Sequence, residues 1–183
     1  MVLFGRCCST ALVRHLFLFI LEPTFCMKHA TLLLVIDGNN VLLGMKKRGF
    51  GEGKWNGFGG KLNEGETIEE AVVREMEEEA GIIVDKEKLE KVAELNFTFP
   101  YVPKEKAFDQ LVHVFVTREW SGDPKESEEM LPKWFSQNEL PFESMWNDDR
   151  IWLPKILSGE KLKADFVFGE DNQTIAQHKL MEF

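Results

Sequence analysis

The sequence predicts an α+β fold for this 183-residue chain, a sandwich built on a mixed β-sheet with two helices. Three observations carry that prediction. Short runs rich in β-branched and aromatic residues recur along the chain and are bounded by Gly, Asn, Asp and Pro. Only two stretches carry helix signals, one opening at Thr67 and one at Asn147. One run, residues 111–116, is apolar almost throughout, as expected of a strand covered on both faces.

In order from Met27, residues 31–36 (TLLLVI) read as a buried strand. Asp37-Gly38-Asn39-Asn40 is a hairpin-type turn, and residues 41–45 are the returning strand. Lys46-Lys47-Arg48 leads into Gly49-Phe50-Gly51-Glu52-Gly53. That glycine-rich loop lacks the lysine–serine or lysine–threonine ending of a P-loop, so it is predicted to be a loop with Phe50 at its tip. Thr67 is an N-cap, Glu70 completes a capping box, and Gly81 stops the first helix. Val72, Met76 and Ala80 give that helix an apolar stripe. Residues 82–84 are a short extended piece and 85–88 an exposed linker. Residues 92–99 alternate, with Ala93, Leu95, Phe97 and Phe99 on one side. A loop over residues 100–106 precedes the strand 111–116, in which His113 is expected to be a hydrogen-bonded structural histidine. Ser121-Gly122-Asp123-Pro124 is a turn, residues 126–130 an acidic loop, and 133–135 a short strand. Asn147 caps a second helix running to about residue 157, with Ser158-Gly159 as its stop. Pro154 predicts a kink there or a later first turn. Residues 164–168 and 174–180 close the chain as a hairpin.

Composition narrows the function classes. At 44% hydrophobic and 29% charged residues, the chain has the makeup of an ordinary soluble protein with one sizeable core. A formal net charge of −9 argues against a non-specific grip on nucleic acid polymer, which needs a basic face. A small anionic substrate remains open, because a metal ion can supply positive charge locally. All three cysteines, Cys7, Cys8 and Cys26, lie in residues 1–26, so neither a disulfide framework nor a cysteine–zinc site is available to residues 27–183. Residues 1–26 form an N-terminal extension distinct from a domain at 27–183, and they are expected to be poorly ordered or a targeting segment. Removing Arg6, Arg14 and Glu22 from the 22 basic and 31 acidic residues leaves 20 and 30 for the domain. The apolar run at residues 16–21 is far short of a membrane span. The extension reads either as a mitochondrial transit segment or as part of a minor form, Met27 being the start used in most molecules; a secretory signal fits less well. A cytoplasmic protein with nuclear and mitochondrial pools, without stable membrane association and monomeric, is the corresponding expectation.

The chemistry-bearing stretch is residues 60–82. Glu75, Glu78 and Glu79 stand at i, i+3 and i+4 and share one helix face, where three like charges repel. A divalent cation that takes oxygen ligands relieves that repulsion, and Mg²⁺ holding a diphosphate is the common case. Gly59 or Gly60 supplies a carbonyl that can approach closely, and Arg74, one turn before Glu78, can orient a ligand carboxylate. A solvated acidic helix explains the glutamates but not glycines and an arginine at these spacings. The stretch matches Gly-x5-Glu-x7-Arg-Glu-aliphatic-x-Glu-Glu-x-Gly-aliphatic at Gly60, Glu66, Arg74, Glu75, Met76, Glu78, Glu79, Gly81 and Ile82. With each residue type used at roughly 6%, the fixed identities match by chance on the order of 10⁻⁹ per window.

That pattern is the Nudix signature, and residues 28–183 resemble the Nudix family along their whole length. The resemblance implies a mixed sheet packed between helices and hydrolysis of a nucleoside diphosphate linked to another group, using Mg²⁺ or Mn²⁺. It implies Arg74, Glu75, Glu78 and Glu79 as catalytic residues, and Gly59, Glu75, Glu78, Glu79 and a loop glutamate as metal ligands. Glu129 is the choice for that last position, with Glu128 beside it and a solvated acidic loop as the bland alternative. Three further segments, residues 44–51, 55–61 and 145–149, resemble the MutT-type branch that acts on oxidised purine nucleoside triphosphates. Carried over by position, Asn56, Asp148 and Asp149 meet the base edge, Trp146, Phe50, Phe97 and Phe99 wall the pocket, and Thr31 and Lys46 stand near its mouth. Phe58, Gly59, Gly60, Lys61 and Asn147 complete the implied substrate-binding set. On their own, Trp146, Phe97 and Phe99 would be read as ordinary core. One departure stands out: Gln110 occupies the place of an apolar wall residue, after a loop several residues longer. The implied activity is hydrolysis of 8-oxo-dGTP, 2-oxo-dATP and alkylated purines such as O6-methyl-dGTP and N6-methyl-dATP to monophosphate and diphosphate, keeping mutagenic bases out of DNA. Competing readings are another Nudix substrate (a dinucleoside polyphosphate, ADP-ribose or a cap) and a nucleotide sensor that does not cleave; the intact glutamate set argues against the sensor.

Overall fold

The structure is a computed structural model and describes residues 27–103, 106 and 108–183. The extension 1–26, and Lys104 and Glu105 of the 100–106 loop, lie outside the described residues. The ordered elements are β1 (Lys28–Asp37), β2 (Asn40–Lys46), β3 (Trp55–Asn56), α1 (Ile68–Ala80), β4 (Glu90–Thr98), β5 (Gln110–Thr117), β6 (Met130–Ser136), α2 (Asp149–Leu157), β7 (Leu162–Phe168) and β8 (Ile175–Glu182). They form one mixed sheet in the order β3-β2-β1-β5-β4-β7-β8, with β6 pairing along β2. The β1–β5 and β4–β7 pairs are parallel and the others antiparallel.

The sheet is covered on both faces, as residues 111–116 predict. In β5, Val112, Val114 and Val116 join one buried cluster with Trp152, Leu153 and Ile156 of α2. Phe115 points the other way, into a second cluster with Val72, Met76 and Ala80 of α1. β1 divides likewise: Leu32, Leu34 and Ile36 face α2, while Leu33 and Val35 face α1. Each fully buried Leu, Val, Phe or Met contributes about 1.5–3 kcal/mol from area removed from water, so both helices are held mainly by these stripes. The capping box fixes the start of α1: Thr67 Oγ1 accepts from Glu70 N and the Glu70 carboxylate accepts from Thr67 N. Gly81, with φ of 67°, ends it.

A seam in the sheet positions the site. β2 pairs with β1 only from Val35↔Leu42 to Asp37↔Asn40 and then diverges. Residues 55–61 fill the opening. Trp55 and Asn56 pair with Met45 and Gly44 of β2, and Phe58 and Lys61 bridge to Leu33 and Ala30 of β1. Only glycine fits at Gly59, where φ is +152° and a Cβ would overlap the Thr31 carbonyl.

Several local expectations are corrected. β3 and the full length of β6 exceed what the pattern showed. β4 carries an irregularity between Lys91 and Ala93, which lets both Val92 and Ala93 reach the same core cluster. Asn147 does not cap α2; its amide donates to the Gln173 carbonyl at 2.9 Å. The helix begins at Asp149, whose carboxylate accepts from Trp146 N at 3.0 Å and fixes the turn. α2 runs through Pro154. Proline deprives the Arg150 carbonyl of its donor, at an exposed residue of the helix.

Candidate active site

A cavity of about 600 Å³ opens between the α2 face of the sheet, the 46–61 segment and the start of α2. Of the substrate-binding set read from the sequence, Thr31, Lys46, Phe50, Asn56, Gly59, Gly60, Lys61, Phe97, Phe99, Trp146, Asp148 and Asp149 line it, together with Glu129. Two of that set do not. Phe58 is fully buried in the α1 core, because it pairs with Leu33 of β1, whose side chain faces α1. Asn147 is exposed and bonded to Gln173. The wall also holds Lys54, Leu95, Val112, Trp152 and Phe168, which sequence reasoning missed. For Trp152 a signal existed: it stands one helical turn after Asp148, and its Nε1 donates to Asp148 Oδ2 at 3.1 Å.

The aromatic wall is continuous. Phe50 stacks on Trp146 at 5.0 Å between centroids, Phe99 on Phe168 at 4.3 Å, and Phe97 on Phe166 at 5.6 Å. Asn56 accepts from Gly57 N through Oδ1, which fixes the amide and leaves its NH₂ for a ligand. At the back lie two adjacent buried carboxylates, Asp148 and Asp149, 3% and 2% exposed. Burial lifts Asp148 to about 6 despite the Trp152 indole N–H. Burial, then the Asp148 charge, holds Asp149 well above the usual carboxylate range. The pair therefore retains a proton at neutral pH. The nearest cation, Lys54, is held by the Met145 carbonyl at 3.1 Å with its Nζ 4.9 Å from the Trp146 ring centroid.

The cavity meets the acidic face of α1 at Glu129, which also lines a second cavity with Glu75, Glu78, Glu79, Ser127 and Glu128. Glu79 is buried; it accepts from Gly59 N at 2.9 Å and lies 3.7 Å from Lys46 Nζ. Burial raises its pKa to about 7. Arg74 bridges Glu66 (2.7 Å), Glu75 (2.9 Å) and Glu78 (3.0 Å), and its own pKa is raised by those hydrogen bonds. Glu129 is paired with Arg48 at 2.7 Å and Lys46 at 3.5 Å, contacts that hold its carboxyl below the usual range.

Among the described residues, no three carboxylates converge closely enough to chelate a metal. Their cationic partners explain this, since Arg74, Lys46 and Arg48 take the positions that a divalent ion would compete for. The donor set still fits a hard cation: every donor is oxygen, and a Cβ on Gly60 would overlap the Glu75 carboxylate, so glycine keeps that approach open. His113 is remote from this chemistry, with Nε2 2.8 Å from His29 Nδ1 and burial lowering its pKa to about 4.

A family model described as the NUDIX domain matches residues 27–156. The oxidized purine nucleoside triphosphate hydrolase of Danio rerio is 46% identical over 158 residues, 86% of this chain and 97% of that one. The Mus musculus protein of the same name is 47% identical, covering 83% and 93%. The crystal structure of a MutT protein from Bacillus halodurans superposes with a TM-score of 0.70 at 27% identity, covering 84% of this chain and 97% of that one. Signature, sheet and relatives agree, and the chain belongs to the Nudix family of hydrolases.

Proposed function

We propose that the protein hydrolyses oxidised and otherwise modified purine nucleoside triphosphates to monophosphate and diphosphate, with Mg²⁺ as the working ion, and so keeps damaged bases out of DNA. The observation that carries this is the buried Asp148–Asp149 pair at the back of an aromatic-walled cavity that opens onto the α1 glutamates. A flat purine fits the space between Trp146, Phe97 and Phe99, and burying it there removes apolar area from water. Asn56 and the aspartate pair present donors and acceptors to its edge. The retained proton makes one carboxyl a donor and the other an acceptor, which suits a lactam or amidine edge. Lys46, paired with Glu79 and Glu129 where the two cavities meet, and Lys61, which lines the first, would face the phosphates. Glu75, Glu78, Glu79 and Glu129 would hold the ion, with the Gly59 carbonyl as a further oxygen. When bound, that ion neutralises phosphate charge and lowers the pKa of the attacking water. Arg74 positions Glu75 and Glu78 through its ion pairs.

The test is a nucleotide panel read by liquid chromatography: 8-oxo-dGTP, 2-oxo-dATP, O6-methyl-dGTP, N6-methyl-dATP, the unmodified triphosphates, a dinucleoside polyphosphate, ADP-ribose and a capped RNA, each with Mg²⁺ and with chelator. Monophosphate and diphosphate from the modified purines, only with the ion, is the expected result. Preference for ADP-ribose or the dinucleotide would replace this reading, and binding without product would make the protein a sensor.

A further inference from the structure

We propose that Gln110 is a specificity-determining residue that favours purines with a polar oxo or amino group on the edge it faces over purines carrying an alkyl group there. The proposal rests on the modified-purine reading above. Gln110 opens β5, and its side chain lines the base cavity on the same face as Val112. It stands directly across from Phe97 in the β4–β5 ladder, so its immediate surroundings on that wall, Phe97, Leu95 and Val112, are otherwise apolar. Its amide has no hydrogen-bond partner among the described residues.

The position is held from both sides. Asp109 Oδ1 accepts from Phe99 N at 2.8 Å, which pins the chain just before β5 to the end of β4. Phe108, two residues back, packs edge-on against Phe99 at 6.0 Å and against Phe50 at 5.4 Å. Gln110 therefore sits in a fixed wall and not on a free loop. A carboxamide offers two N–H donors and an acceptor oxygen. Once a base fills the cavity, those groups leave water, and an alkyl substituent opposite them leaves them unpaired, whereas an oxo or amino group pairs with them. A site built to hydrogen-bond its substrate rejects an analogue that cannot reciprocate far more strongly than an apolar wall does.

The test compares wild type with Gln110→Met and Gln110→Leu, two apolar replacements of differing shape, each checked by thermal melting. For each, kcat/KM is measured with 8-oxo-dGTP and O6-methyl-dGTP. The dissociation constants of 8-oxo-dGMP and O6-methyl-dGMP are measured separately, without metal, by tryptophan fluorescence. Both replacements are expected to move both ratios toward the alkylated base by about tenfold. Ratios that stay within about twofold of wild type in a variant that folds and turns over 8-oxo-dGTP would overturn the role of Gln110 and leave the function standing. Failure of wild type to bind or cleave either purine would instead remove the modified-purine reading, and this proposal with it.

Discussion

At the scale of single residues, the site is a set of carboxylates in two different environments. Glu79 is the one α1 glutamate that is both buried and turned onto the glycine seam, accepting from Gly59 N. Glu79→Gln keeps the shape and can still accept that bond, but removes the charge that a divalent ion needs. Turnover should fall by roughly 10²–10⁴ with the fold intact; near-native rates in saturating Mg²⁺ would take the metal site off this helix. In the base cavity the paired aspartates predict unequal effects. Asp149→Asn replaces the more strongly raised carboxyl of the proton-holding pair with a permanent donor, whereas Asp148→Asn keeps an oxygen for the Trp152 indole bond but turns its other oxygen into a donor. The two variants should shift the ratio of 8-oxo-dGTP to 2-oxo-dATP activity in different directions. The pH profiles of the two substrates should diverge in the range about 6–9 where the pair exchanges its proton. Equal losses and superimposable profiles would reduce the pair to a fixed acceptor. The glutamates could be singled out because their spacing is local, and Trp146, Asp148 and Asp149 because their segment resembles the MutT-type branch. Phe58 and Asn147 were misplaced because a face assignment depends on the seam pairing and on a contact to Gln173, both long-range.

At the scale of elements, α1 and the seam can be weighed against each other. Thr67→Ala removes the capping box and should cost about 1 kcal/mol, lowering the melting temperature by roughly 2–4 °C without affecting turnover per folded molecule. Gly59→Ala should be far worse, because its Cβ meets the Thr31 carbonyl in a backbone conformation that side chains rarely adopt. A loss of about 3 kcal/mol or more, read by denaturant unfolding, is expected, along with displacement of Glu79. A Gly59→Ala protein as stable as Thr67→Ala would mean that the seam is looser than its geometry. α1 was fully legible from the sequence, since cap, stripe and stop all lie within fifteen or so residues, about four helical turns. The seam was not. Two residues of β3 carry no periodicity, and their pairing is decided by where β2 parts from β1. The Lys91–Ala93 irregularity and the true start of α2 escaped for the same reason: each is settled by a partner distant in sequence or by a side chain bonding backward, as Asp149 does to Trp146.

For the whole molecule, the buried titratable groups set an unusual dependence of stability on acidity. Asp148, Asp149 and Glu79 all have folded pKa values raised by burial, Asp148 to about 6 and Glu79 to about 7. A raised folded value means that the folded protein binds protons more readily than the unfolded chain. The stability these three contribute is present below their unfolded values, near 4, and is lost as pH rises through the folded ones. His113 opposes them. Its folded value near 4 lies below the unfolded 6.5, so its contribution is complete above 6.5 and is lost as pH falls toward 4. Glu94, held at about 2 by Lys91 and Lys163, loses its contribution only in stronger acid, as pH falls from 4.5 toward 2. Three acids outweigh one histidine between about pH 5 and 8, so in chelator the protein should melt higher at pH 5.5 than at pH 8, by roughly 3–8 °C. Asp149→Asn should flatten that slope, because a neutral amide has no proton to give up. His113→Asn should steepen it, by removing a group that pulls the other way. Saturating Mg²⁺ should reduce the difference from the alkaline side: an ion held by Glu79 stabilises the ionised form that burial otherwise penalises. A melting temperature that climbs from pH 5.5 to 8 in chelator would show that the aspartate pair and Glu79 are solvated in the free protein, and that the base cavity gives up its dryness before any nucleotide arrives.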